Sequence, residues 1–210
     1  MSRYIAITDI HGELEKLENL LSKICINPDD IFVFMGDYID RGGKSKEVVD
    51  RVIEQSNYNK CVYLIGSHEY AMLHSENSEY YQWLFDNYGG PETIRSYGNF
   101  ENIMKIHGDF YRNLKLYYLT DKYLFVHAGI NPHYSLEEQD EVDLVYIRDH
   151  FIYARHNLPQ KIIFGHTDFD KPFIADDKIG IDLGCGKYSD AKLCGLILDE
   201  DGKEEFVYSD

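Results

Sequence analysis

Basic side chains are scarce in this chain: 21 lysines and arginines stand against 37 aspartates and glutamates over 210 residues, a formal charge of -16. A face that grips a nucleic-acid backbone needs clustered Lys and Arg to displace counterions, so nucleic acid is not expected as a partner. Long apolar runs are missing too. No stretch approaches the roughly 18 apolar residues of a membrane span, and the apolar run within residues 1–9 is too short for a signal peptide. A soluble, reducing, cytoplasmic setting without membrane partners is the expectation. Cysteine is sparse and unpatterned: Cys25, Cys61, Cys185 and Cys194 form no Cys-x-x-Cys pair, which leaves little basis for a zinc knuckle or a disulfide framework and reads as buried, reduced thiols. Repeats, low-complexity tracts and linkers are absent as well, which leaves one domain over residues 1–210.

What is present is a core. Hydrophobic residues make up 44% of the chain and aromatics 14%, enough to bury a sizeable interior. Short β-rich runs at residues 4–8, 31–35, 61–65, 123–127 and 161–164 read as buried strands. Between the first two, Leu14, Leu17, Leu20, Leu21 and Ile24 repeat at helical spacing until Asn27-Pro28-Asp29 stops them. Further helices are expected over 45–56, through most of 69–112 with a break at Gly89-Gly90-Pro91, and over 142–156. The last third turns to strands at 162–164, 173–175, 179–183 and 193–198, with Asp201-Gly202 as a hairpin turn before 204–208. The pattern is α/β, with two sheets packed together and helices outside.

The chemistry sits at strand ends. Four of the apolar runs stop at Asp9-x-His11-Gly12, Gly36-Asp37-x-x-Asp40-Arg41-Gly42, Gly66-Ser67-His68-Glu69 and His127-Ala128-Gly129, and a fifth at Gly165-His166-Thr167. Ligands of α/β sheets collect at the carboxyl ends of strands, so five such turns point to one crevice. Carboxylates and imidazoles without thiolate suit Mn, Fe or Zn, and a close pair of such ions fits in-line displacement at phosphorus.

With those motifs the sequence resembles the phosphoprotein phosphatase branch of the calcineurin-like metallophosphoesterases, and within it the small bacterial and phage lambda type. Further similarity lies in Asn87-Tyr88-Gly89-Gly90-Pro91-Glu92-Thr93, in Ser96-Tyr97-Gly98, in Phe125-Val126-His127-Ala128-Gly129-Ile130-Asn131-Pro132 and in Tyr146-Ile147-Arg148-Asp149-His150-Phe151. The resemblance implies a four-layer α/β/β/α sandwich and two divalent ions, manganese first, with iron or zinc as alternatives. One ion would be held by Asp9, His11 and Asp37, the other by Asp37, His127 and His166, and the water between them would be the hydroxide nucleophile. His68 would protonate the leaving oxygen, oriented by Asp40, while Arg41 and Arg148 would grip the phosphate. Substrates would be phosphoproteins or small phosphoesters, first of all phosphoserine and phosphothreonine proteins.

The main departure is Ser67, which stands where the family has a metal-binding asparagine. Its hydroxyl is a shorter, poorer donor, so the second metal position is expected to be weakened rather than lost. Thr8, in place of the usual glycine, and the late stretch Ile181-Asp182-Leu183-Gly184-Cys185 also depart, and neither is expected to touch a ligand. Two other functions fit the same motifs: a symmetrical dinucleoside tetraphosphate hydrolase, and a phosphate-binding regulatory module in which Ser67 marks decay. Against the latter, His68, Asp40 and Arg41 are all retained. Taken singly, His11, His127 and His166 would pass as core histidines, Asp40 with His68 as a structural ion pair, and Arg148 as a surface arginine paired with Asp149 or Glu141; the ordered set favours function. Glu69 reads as support for the helix that follows it, His74, His107, His133, His150 and His156 as packing or solvated groups, and the 18 tyrosines as scattered filling with no stacking face. Motifs do not fix the oligomeric state.

Overall fold

The computed structural model describes residues 3–199 and 201–210; Met1 and Ser2, part of the N-terminal run read above, lie outside them. Its elements follow as β1 (Tyr4–Ile7), α1 (Leu14–Lys23), β2 (Ile31–Phe34), α2 (Ser45–Gln55), β3 (Lys60–Tyr63), α3 (Ser67–His74), α4 (Glu79–Asn87), α5 (Gly90–Tyr97), α6 (Phe100–Arg112), β4 (Tyr117–Leu119), β5 (Tyr123–Val126), α7 (Glu141–Tyr146), α8 (Asp149–Ile152), β6 (Lys161–Phe164), β7 (Phe173–Ile174), β8 (Lys178–Gly180), β9 (Cys194–Leu198) and β10 (Glu204–Tyr208). Two five-stranded mixed sheets form, ordered β10-β9-β1-β2-β3 and β4-β5-β6-β8-β7. Both are flanked by helices, as the α/β sandwich expectation required.

Strand alternation sets the layers. Successive side chains point to opposite faces, so Ile5, Ile7, Phe32 and Phe34 pack with Leu17, Leu20, Val48, Val49 and Val52 of α1 and α2. Ala6 and Val33, from the same strands, meet Phe125, Ile163 and Ile179 of the other sheet. On that sheet's far face Leu124, Val126, Ile162 and Phe164 pack with Leu144 and Phe151 of α7 and α8. Each central strand is thus apolar on both faces, which is why it reads as an unbroken apolar run. Each fully buried Leu, Ile or Phe contributes about 1.5–3 kcal/mol on this accounting.

The parallel pairs β1 with β2, β2 with β3, and β5 with β6 bring their carboxyl ends to one edge of the sandwich. The predicted elements are there, with corrections. The strand expected over 179–183 ends at Gly180, and the helical stretch 69–112 is interrupted at 75–78 and 98–99 as well as at Tyr88 and Gly89, with Gly90 and Pro91 opening α5 because proline is tolerated in a first helical turn. The helix expected over 142–156 is two short ones, because Ile147 is extended and buried and Arg148 takes φ -132° and ψ -108°. The chain gives up helical bonds there to bury Ile147 against Phe151. The strand β4 was not foreseen; it is a three-residue edge strand, antiparallel to β5. All four thiols are free, but only Cys185 and Cys194 are buried, while Cys25 is exposed and Cys61 half-buried. No helix among the described residues is long and apolar enough to cross a membrane.

Candidate active site

The turns after β1 and β2 are laced to each other before they hold anything else. His11 N–H donates to Asp37 O at 2.9 Å, Gly12 N–H to Tyr38 O at 2.9 Å, and Gly42 N–H returns to His11 O at 2.9 Å. The loops approach so closely that a Cβ on Gly42 would lie 2.4 Å from His11 O; only glycine fits. Six non-glycine residues among those described have positive φ: Asp9, His11, Asp37, Asp40, Arg41 and His166. Every one belongs to the set singled out from sequence. Left-handed backbone is strained for such residues and persists where the surroundings force it, as happens at functional sites.

This lacing aims the side chains inward. His11 Nδ1 is 2.9 Å from Ile39 O, and His127 Nδ1 is 2.8 Å from Met35 O. A ring donating through Nδ1 turns the lone pair of Nε2 to the other side. There His11 Nε2 lies 3.6 Å from Asp37 Oδ2 and 3.9 Å from Asp9 Oδ1, and His127 Nε2 lies 3.4 Å from Asp37 Oδ1. The Nε2 atoms of His11, His127 and His166 are buried without a hydrogen-bond partner. Among the described residues, two trios have ligand atoms all within 4.8 Å of one another: His11, Asp37 and His68, and Asp37, His127 and His166. Asp37 is common to both.

Buried charges here set one another's protonation. Burial alone would raise Asp37, but the His127, His68 and His11 rings overcome it and hold the carboxylate well below its usual range. Burial pushes His11 and His166 well below the ordinary imidazole value, helped by Arg41 at the first and by His127 and Arg148 at the second. Neutral rings with free Nε2 atoms suit cation binding. His127 moves the other way: burial opposes its charge, but Asp37 outweighs it and lifts the ring to about 9.

His68 and Asp40 meet as expected, with Nδ1 to Oδ2 at 2.7 Å, and His68 Nε2 sits 3.3 Å from Arg41 Nη2. Burial disfavours the His68 imidazolium, yet Asp37 and Asp40 together raise its pKa. Asp37, Arg41, Ser67, His68, Arg148 and His166 all line a cavity of about 360 Å³. The break between α7 and α8 is what turns Arg148 toward it, with Nη1 3.4 Å from Thr167 Oγ1. Ser67 is buried and donates to both Asp37 oxygens, at 3.2 and 3.4 Å.

Sequence reasoning missed several supports. Thr8, expected to touch no ligand, donates to Asp9 Oδ2 at 2.6 Å; it holds the oxygen that also accepts His166 N–H at 3.0 Å. The late stretch reaches the site as well: buried Asp182 is pushed well up by burial and by Asp9, and just past the stretch a Cβ on Gly186 would lie 2.6 Å from His11 Cβ. Thr93 donates to Asp40 Oδ1 at 2.5 Å and accepts Asp40 N–H at 2.9 Å; the Asn87–Thr93 similarity was its only signal. Glu69 supports more than its helix: its carboxylate accepts N–H bonds from Gly66, Asp37 and Tyr38 at 3.1, 2.8 and 2.9 Å. Burial, then the Asp37 charge, push it to about 7.

Residues 2–202 match the family model of the calcineurin-like phosphoesterases. Among solved structures, a candidate diadenosine tetraphosphatase superposes with a TM-score of 0.73 at 17% identity over 99% of this chain and 93% of its own. A serine/threonine phosphatase from Saccharomyces cerevisiae gives 0.70 at 16% identity, covering 100% and 80%. A cold-active protein-tyrosine phosphatase of a psychrophilic Shewanella gives 0.67 at 16%, covering 98% and 80%. At such identities these likenesses concern the fold.

Proposed function

The chain belongs to the calcineurin-like phosphoesterase family, and we propose that it hydrolyses phosphate monoesters, with phosphoserine and phosphothreonine proteins among its substrates, by direct attack of water on phosphorus without a phosphoenzyme. We take residues 1–210 as one catalytic domain. The observation that carries this reading is the set of buried, unpartnered Nε2 atoms of His11, His127 and His166 around the Asp37 carboxylate. A core would not leave three ring nitrogens unpaired, and their chemistry fits divalent cations. Asp9, His11 and Asp37 would hold one ion, and Asp37, His127 and His166 the other, with Ser67 a weak contributor to the second. Bound there, manganese, iron or zinc supplies an acidified water and positive charge for the phosphate.

The chain's own groups do the rest. Arg41 and Arg148, from two different loops that line the cavity, present planar donors to non-bridging phosphate oxygens and offset the charge that grows in the transition state. His68 turns one nitrogen to the cavity while Asp40 holds the other. It gives its proton to the leaving ester oxygen, and the carboxylate stabilises the imidazolium beforehand. Thr93 fixes Asp40, so the acid is oriented before substrate arrives.

A second reading is a symmetrical dinucleoside tetraphosphate hydrolase, favoured by a likeness that spans 93% of the candidate diadenosine tetraphosphatase. Release of phosphate from phosphopeptides and p-nitrophenyl phosphate against added Mn²⁺, with diadenosine tetraphosphate alongside, separates the two. Phosphopeptide turnover that collapses in His68→Ala supports the phosphatase. Silence at every metal level, in Ser67→Asn as well, would point to a phosphate-binding module instead.

A further inference from the structure

One cation lies inside the core. Lys178, on β8 between β6 and β7, is 1% exposed, and among the described residues no other lysine or arginine is buried. Its partner across the ladder is Ile162 of β6, which packs with α7 and α8. An aliphatic side chain at 178 would suit that layer without the cost of dehydrating an ammonium.

What the ammonium holds is α8. Lys178 Nζ donates to Phe151 O at 2.9 Å and to Ala154 O, and it sits 4.4 Å from the centroid of the Phe151 ring. Asp177 Oδ2, 3.6 Å away, balances the charge. These carbonyls lie at the carboxyl end of the helix, where backbone oxygens lack a full set of partners and a cation is favoured. The Phe151 ring also closes on Gly129, two residues beyond His127: a Cβ on Gly129 would lie 2.3 Å from Phe151 Cδ1.

With four residues, α8 is too short to stand by itself, so contacts from outside decide where it lies. At its other end Arg148 O accepts Phe151 N–H at 2.8 Å and Ile152 N–H at 3.0 Å. The Arg148 side chain reaches the cavity exposed, with Thr167 Oγ1 at 3.4 Å as its hydrogen-bond partner. A guanidinium left open to a ligand in this way is aimed chiefly by its backbone.

We propose that Lys178 is a positioning residue for the phosphate clamp: by tying the end of α8 to β8 it fixes the backbone from which Arg148 reaches the phosphate oxygens. The proposal rests on the phosphoesterase reading of the cavity and adds to it a residue that does not line that cavity. A merely structural Lys178 would stabilise the fold and leave phosphate affinity alone.

Binding separates the two roles. Calorimetric titration of the Mn²⁺-supplemented protein with inorganic phosphate is run on the parent, Lys178→Met, Arg148→Ala and the double variant; methionine fills much of the same space without the charge. Arg148→Ala should weaken phosphate by about tenfold. Lys178→Met should weaken it by about fivefold in the parent but by less than about twofold in Arg148→Ala, because a residue that acts through another adds nothing once that other is gone. Lys178→Gln, which keeps a donor of shorter reach, should show a smaller loss with the same dependence on Arg148. Equal losses in both backgrounds, no loss in the parent, or an Arg148→Ala variant that binds phosphate as the parent does overturns the proposal, as does absence of phosphate binding throughout. Failure of the catalytic reading looks different: phosphate binding that depends on Lys178 only through Arg148, with no hydrolysis of any ester.

Discussion

The imidazole of His68 and the carboxylate of Asp40 share a 2.7 Å contact in which neither partner is more than marginally exposed. The contact leaves one ring nitrogen for the cavity, which is the arrangement a general acid needs. His68→Ala is expected to lower kcat by about 10²–10⁴-fold on phosphoserine peptides. The loss should be smaller on p-nitrophenyl phosphate, whose leaving oxygen needs little protonation. Asp40→Asn should follow the same pattern more mildly. Steady-state kinetics on both substrates checks the split; equal losses on both would remove His68 from the acid role.

Ser67 spends its hydroxyl hydrogen on Asp37, the carboxylate shared by both candidate metal trios. Ser67→Asn would bring an amide oxygen to the same place. The expected outcome is tighter Mn²⁺ binding, on the order of tenfold, as changes around metal ligands commonly produce. Calorimetric metal titration reads it directly; unchanged affinity would mean that Ser67 lies outside the second metal position.

Glu69 accepts four backbone N–H groups, from Asp37, Tyr38, Ile39 and Gly66, on two different loops. Glu69→Gln replaces one acceptor oxygen by a donor that faces those same hydrogens. Stability should fall by about 1–3 kcal/mol, read from urea unfolding of the metal-free protein. A silent substitution would mean that the loops hold without it.

His107 lies in the kink of α6, with Nδ1 2.7 Å from the Tyr97 hydroxyl and Nε2 3.1 Å from Asp50 Oδ1. Burial lowers its pKa from the ordinary 6.5, Asp50 opposing that and Lys46 adding to it. The unfolded chain therefore takes up the proton first as pH falls. Its contribution to stability is complete above pH 6.5 and declines below it, down to the lowered folded value. His11 and His166 act in the same direction, so the comparison with His107→Gln isolates this ring. Unfolding free energy should drop less in the variant than in the parent between about pH 7 and pH 5.5; parallel curves would refute the assignment.

How much of the site was legible follows from how local its signals are. Asp9, His11, Asp37, His127 and His166 each sit at the end of an apolar run and beside or close to a glycine, so strand, turn and ligand type are all encoded within a few residues. Thr8 and Thr93 were illegible as supports because their partners, an adjacent carboxylate in one case and Asp40 across 53 positions in the other, depend on rotamer and long-range packing. Arg148 was found by motif, but placed on a continuous helix that burial of Ile147 breaks.

By itself the sequence determined the alternation of strands and helices, the layering of apolar faces and the residue types gathered at the strand ends, because hydrophobic periodicity and turn chemistry are short-range. Only the tertiary structure decided that six of those residues take left-handed backbone, that Glu69 ties two loops together, and that Tyr146, Tyr81 and Tyr80 join into one wall beside His166. Those features arise from contacts between segments far apart in the chain, and no spacing along it fixes which of 18 tyrosines the fold will bring face to face.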